Sequence, residues 1–111
     1  MPAAQVCQLQ VAHSDRDALQ AIVEDLLDLR LIACGQLLGP LASSFSWGGA
    51  REHAQEWLAL MKTASDRVQE ACARVRELHS YELPEILVSE MSGGDPEYLS
   101  WVVESTREQP R

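Results

Sequence analysis

The sequence predicts one α+β domain built on a four-stranded antiparallel sheet. Three observations carry that expectation. Stretches of period-two apolar alternation are interleaved with stretches of helical spacing, in the order β-α-β-β-α-β. The two central strands flank Gly48-Gly49, the residue pair of a tight hairpin turn. A short amphipathic segment follows the fourth strand. No repeat, low-complexity tract or linker interrupts the 111 residues, so 1–111 reads as a single domain.

Each element has its own signal. Residues 5–12 alternate, with Cys7, Leu9 and Val11 facing one way and Gln8 and Gln10 the other, which is a strand. Ser14 offers a helix N-cap, and Asp15 and Asp17 suit a first turn, where the helix dipole favours anions. Leu19, Ile22, Val23, Leu26 and Leu29 continue at helical spacing, predicting a helix over 15–30. From Leu31 to Trp47 the chain is apolar, a long strand kinked near Gly39-Pro40. A second long strand over 54–63 sets Trp57, Ala59 and Met61 on one face and Glu56, Leu58, Leu60 and Lys62 on the other. Ser65 caps a helix over 66–78, with Val68, Ala71, Cys72, Val75 and Leu78 on one stripe. His79 to Glu82 is a loop, Pro84 blocks any helix, and Glu85 to Ser89 is a strand. Gly93-Gly94 turns the chain, and Asp95 caps a last helix through Tyr98, Leu99, Trp101 and Val102. The tail, Glu108 to Arg111, is expected to fray.

This order is the ferredoxin-like βαββαβ sandwich, with a long β-hairpin and a short C-terminal helix. Right-handed crossovers place both longer helices on one face of the sheet. The strand over 54–63 is apolar on both faces, so the second face needs a cover. That predicts a homo-oligomer.

Composition narrows the function. The chain is 46% hydrophobic and 23% charged, with a net charge of −8. Such acidity repels phosphate backbones and anionic lipid, so nucleic acid and membrane surfaces are not expected partners. No apolar run approaches a membrane span, no leader pattern opens the chain, and a cytoplasmic location is the expectation. The cysteines Cys7, Cys34 and Cys72 are odd in number and form no CxxC pair, which suits a reducing compartment. Cys34 in its apolar run and Cys72 on its helix stripe read as buried thiols.

No P-loop, GxGxxG, HExxH or GxSxG motif is present. Ser43, Ser44 and Ser46 look like strand residues with no His-Asp pair aimed at them, so the chain reads as a binding protein, not an enzyme. His13, His53 and His79 show no local metal-ligand spacing, and His79 reads first as a helix C-cap. The end of the first strand and the segment after His79 are expected to meet only across subunits. Trp47, Trp57, Tyr81, Tyr98 and Trp101, with Glu56 and Glu85, suit an inter-subunit seam or a small-ligand cleft.

Five segments resemble one family. Leu31-Ile32-Ala33-Cys34 resembles its "LAAC" entry to strand two, and Ser44-Phe45-Ser46-Trp47-Gly48-Gly49 its aromatic-x-Trp-x-Gly hairpin. Glu56 with Lys62-Thr63 resembles its "E…KT" strand, residues 79–86 its "HPYxxPEI" loop, and Tyr98-Leu99-Ser100-Trp101 its "YLxW" helix. The family is CutA, the divalent-cation tolerance proteins, and the likeness runs from about residue 6 to 104. It implies a homotrimer of ferredoxin-like domains, with an architecture similar to that of the PII signalling proteins. It also implies a role in divalent-cation tolerance, with copper binding in some members and no established enzymatic activity. On that resemblance Trp47, Glu56, Lys62, Tyr81, Glu85, Tyr98 and Trp101 line clefts between subunits, where Lys62 and the glutamates neutralise each other or hold a small charged ligand. Ser80 stands where the family has proline, Leu78 where some members have histidine, and Ala12 where some have cysteine. The implied metal is therefore a weakly held Cu(II) or another divalent cation, with His79 as ligand and His13 as its substitute neighbour. The alternative is a PII-like signalling adaptor that binds a small effector and then a protein partner.

Overall fold

The computed structural model describes residues 5–108, with elements β1 (Val6–His13), α1 (Arg16–Asp28), β2 (Cys34–Trp47), β3 (Ala50–Ala64), α2 (Val68–Leu78), β4 (Ile86–Glu90) and α3 (Pro96–Ser105). The four strands form one antiparallel sheet in the order β2-β3-β1-β4. This is the ferredoxin-like arrangement expected from the periodicities.

Register explains the core. Leu9 pairs with Met61 and Val11 with Ala59, so these four point to the same side. There they meet Leu19, Ile22, Val23 and Leu26 of α1 and Ala71 and Val75 of α2, all buried. The helix α1 approaches β2 closely at Gly35, where an added Cβ would stand 2.7 Å from Val23 Cγ1. Between the helices, Arg74 Nε and Nη2 donate to both carboxylate oxygens of Asp25 at 2.8 and 2.9 Å.

Several boundaries move for identifiable reasons. The N-cap of α1 is Asp15, whose Oδ1 accepts from the Ala18 N–H at 3.0 Å; Ser14 lies one residue outside. This helix stops at Asp28, because Arg30 takes a left-handed φ of 56°. There the Leu31 N–H returns to the Leu26 carbonyl at 2.9 Å and the Arg30 N–H to Leu27 at 3.1 Å, a Schellman closure. The segment Leu31 to Ala33 is not strand, and β2 begins at Cys34. Ser65 does not cap α2: Arg67 occupies the N-cap position, and Ser65 lies two residues before it, its Oγ 3.5 Å from Cys7 Sγ and its N–H on the Gln5 carbonyl at 2.8 Å. Asp95 does cap α3, accepting from the Tyr98 N–H at 3.0 Å. Cys7 is buried, but Cys34 and Cys72 are only half-buried. Of the expected frayed tail, Glu108 is exposed, and 109–111 lie outside the described residues.

Gly48 and Gly49 both have positive φ, as the expected two-residue turn requires. The cis Gly39-Pro40 peptide sits where the β2–β3 register shifts between Leu38 and Leu41. Pairing of β1 with β3 ends at His13 and Trp57, so residues 41–47 and 50–56 form a two-stranded arm beyond the sheet. The arm raises the radius of gyration to 14.9 Å, against about 13 Å for a compact chain of this length.

The second sheet face is only partly covered. Tyr98 Oη reaches Cys34 Sγ, and Arg107 forms a bidentate pair with Asp66, so α3 lies over that end. Away from it, Leu38 and Leu87 remain 43% and 54% exposed, and Leu58 and Leu60 are half-buried.

Candidate functional site

The site is built where β1 ends, β3 enters the sheet and the chain leaves α2. His79 is the C-cap of α2, in extended conformation, and its N–H closes on the Val75 carbonyl at 2.9 Å. That backbone turn carries the imidazole inward. Its Nε2 donates to the Ala12 carbonyl at 2.8 Å, and its Nδ1 accepts from the Tyr81 N–H at 3.1 Å. The pattern requires the tautomer with its proton on Nε2. His13 is arranged in parallel, its Nδ1 accepting from the Asp15 N–H at 3.0 Å and its Nε2 lying 3.3 Å from Ser80 Oγ. The two buried rings stack with centroids 4.3 Å apart. Burial first, then the neighbouring His79, hold the His13 pKa below its ordinary 6.5, against an opposite pull from Asp15 and Glu56.

Tyr81 completes the group, its ring centred 4.6 Å from that of His79. Its hydroxyl accepts from the Ser14 N–H at 2.8 Å and donates to Glu56 Oε2 at 3.0 Å. The first strand's end and the segment after α2 therefore meet within one chain, not only across subunits. The antiparallel register, which pairs Val11 with Ile86, starts β4 beside the end of β1.

A cleft of about 690 Å³ opens between this group and the overhanging arm. Trp47, Glu56, Tyr81 and Glu85 all line it, as do Phe45, Glu82, Leu83 and Pro84. Glu85 accepts from Gln10 Nε2 at 2.9 Å. Lys62, Tyr98 and Trp101 stand elsewhere. Lys62 is six residues along β3 from Glu56, roughly 20 Å in an extended strand, and donates to Gln36 Oε1 at 2.6 Å. Within one chain it therefore does not neutralise the glutamates of the cleft. Tyr98 Oη lies 3.5 Å from Cys34 Sγ, and that hydrogen bond, with burial, pushes the Tyr98 pKa up to about 12. Tyr98 and Trp101 pack together with ring centroids 5.6 Å apart.

Phe45, Glu82, Leu83 and Pro84 were not singled out as site residues from sequence. Their signal was that all four lie inside the family-like segments 44–49 and 79–86. The backbone groups of Ala12 and Ser14 had none.

As folded, His13 and His79 do not fit a Cu(II) centre. The ring nitrogens of both are engaged in short polar contacts, and a ligating nitrogen must present a free lone pair. Among the described residues no three His, Cys, Asp or Glu side chains are grouped to hold one metal ion. Ser44 Oγ lies 3.1 Å from His53 Nδ1, an exposed cross-strand pair on the arm.

The family model described as "CutA1 divalent ion tolerance protein" matches residues 7–105. The divalent-cation tolerance protein CutA of Pectobacterium atrosepticum is 36% identical over 93 residues, covering 84% of each chain. That of Pyrococcus horikoshii is 34% identical over 93 residues, covering 84% of this chain and 90% of its own. Among solved structures, CutA from Xylella fastidiosa superposes with a TM-score of 0.90 at 33% identity, covering 94% of this chain and 100% of that one. The divalent cation tolerance protein of Thermus thermophilus gives a TM-score of 0.88 at 30% identity, covering 92% and 99%.

Proposed function

The chain belongs to the CutA1 family of divalent ion tolerance proteins, and from that premise we propose that it serves the divalent-cation response as a homotrimeric binding protein rather than as an enzyme. Its working site is the cleft between the arm and residues 81–85, which takes a small effector in the manner of a PII-like signalling adaptor. The observation that carries this reading is the convergence of Trp47, Glu56, Tyr81 and Glu85 on one cleft, on the sheet face that α3 leaves partly open. Cleft walls made of aromatic faces and a few polar groups suit a small molecule. The apolar residues left uncovered beside it suit neighbouring copies of the chain.

A second reading, implied by the family name, assigns the chain a copper site at His79 with His13, whose rings lie 4.3 Å apart but are stacked, so that only a rearranged imidazole presents its lone pair to an ion. Binding there has to break a hydrogen bond in a buried pair and is therefore weak.

One sample tests both readings. Solution mass at high dilution is expected at three times the 12.3 kDa of the chain; a folded single chain rules out the trimer. Calorimetric titration of the same sample with Cu(II) is expected to show weak binding that His79→Ala removes. Identical isotherms for wild type and His79→Ala take His79 out of any metal site.

A further inference from the structure

The cleft carries one sign of charge. Glu56, Glu82 and Glu85 line it, and among the described residues of the chain no lysine, arginine or histidine does. None of the three carboxylates joins an ion pair among the described residues. The partners of Glu56 and Glu85 are a tyrosine hydroxyl and a glutamine amide, both neutral, so the negative charge is not cancelled. Beside the carboxylates stand aromatic rings. In the single chain Phe45 and Trp47 are 42% and 49% exposed, a large apolar area open to a ligand or to a neighbouring copy.

Two kinds of cation suit negative charge, and the geometry separates them. A hard divalent ion needs about six oxygen ligands at close range. The carboxylates here do not gather tightly enough, since no three metal-ligating side chains are grouped among the described residues. A volume of about 690 Å³ is also far larger than a bare ion and falls in the range of organic ligands. Aromatic faces add attraction for an ammonium or guanidinium group through the ring quadrupole. The net charge of −8 further favours cations near the surface.

The geometry points to an organic cation as the ligand of this cleft, its ammonium or guanidinium head held between the carboxylates of Glu56, Glu82 and Glu85 and the rings of Phe45 and Trp47. This rests on the reading of the cleft as an effector site, and the test separates the two. Three probes share one ring and differ in charge: benzyltrimethylammonium, benzyl alcohol and benzoate. Each is titrated into the assembled protein at fixed ionic strength, followed by calorimetry and tryptophan fluorescence. Benzyltrimethylammonium is expected to bind at least roughly tenfold more tightly than the other two, the scale of a cation–π contact plus an exposed charge pair. Trp47→Ala, and separately the double substitution Glu82→Gln with Glu85→Gln, are expected to weaken it roughly tenfold. All three positions are solvent-exposed, and circular dichroism checks that the fold is kept. Equal binding of the three probes, or a preference for benzoate, with either set of substitutions weakening it, overturns the organic cation and leaves the effector cleft standing. Cation binding that neither substitution weakens places it elsewhere and overturns the assignment. Absence of binding by every probe overturns both readings.

Discussion

His13 shows how a single residue ties the site to pH. Its ring is buried against His79, and burial disfavours the charged form. The folded protein therefore binds a proton at this position less readily than the unfolded chain. Stability from this group is complete above the ordinary pKa of 6.5 and is lost as pH falls below it toward the depressed folded value. The urea midpoint of wild type is expected to exceed that of His13→Gln most at pH 8, with the gap narrowing by pH 5.5. A constant gap across that range means that His13 contributes only packing. The sequence made His79 legible as a helix cap, because it follows the last apolar residue of a helical stripe. Its stacking on His13 was not legible. That contact depends on sheet register, and the glutamine and apolar alternation of β1 says nothing about which strand end lies beside it.

At the scale of elements, alternation was readable wherever one face met the core. It failed at the start of β3. Ala50, Arg51, Glu52 and His53 are all exposed, so no period-two signal marks them. They are strand because each pairs across the Gly48-Gly49 turn with a β2 residue. The end of α1 was misplaced for a different reason. Leu29 continues the apolar spacing, but the helix closes before it, with Arg30 left-handed at C′. A side chain with a Cβ in that conformation costs about 1 kcal/mol or more. Glycine removes the cost and gives part back as unfolded-chain entropy. Arg30→Gly is therefore expected to stabilise the protein by about 0.5 kcal/mol, read as a higher urea midpoint at unchanged slope. A drop in the midpoint means that the Arg30 side chain makes a contact worth more than the backbone strain.

At the scale of the whole molecule, the sheet has one face packed by α1 and α2 and one face covered only at the α3 end. The alternation of Leu58 and Leu60 with Ala59 and Met61 makes this imbalance legible in the sequence. Which end α3 covers is not, because nothing in the spacing of 96–105 says that Tyr98 meets Cys34 and Arg107 meets Asp66. Leu60 is half-buried in the single chain, on the same face as Leu38, Leu58 and Leu87. A charge placed there reaches solvent in an isolated chain but is trapped when a neighbour covers the face. Burying an unpaired carboxylate costs several kcal/mol, far more than an exposed substitution. Leu60→Glu is therefore expected to fold and to lose the assembled mass, with a thermal midpoint independent of protein concentration where that of the assembled wild type rises with it. Arg16→Glu, at an exposed position on α1, is expected to leave the mass unchanged. Ala12 and Glu56 of the cleft share the face of Leu60, so the same variant asks whether the cleft needs a neighbour. If Leu60→Glu keeps the wild-type mass, the open apolar face is not a surface that brings copies together, and the contacts of the proposed trimer must be sought on the edges of β2 and β4.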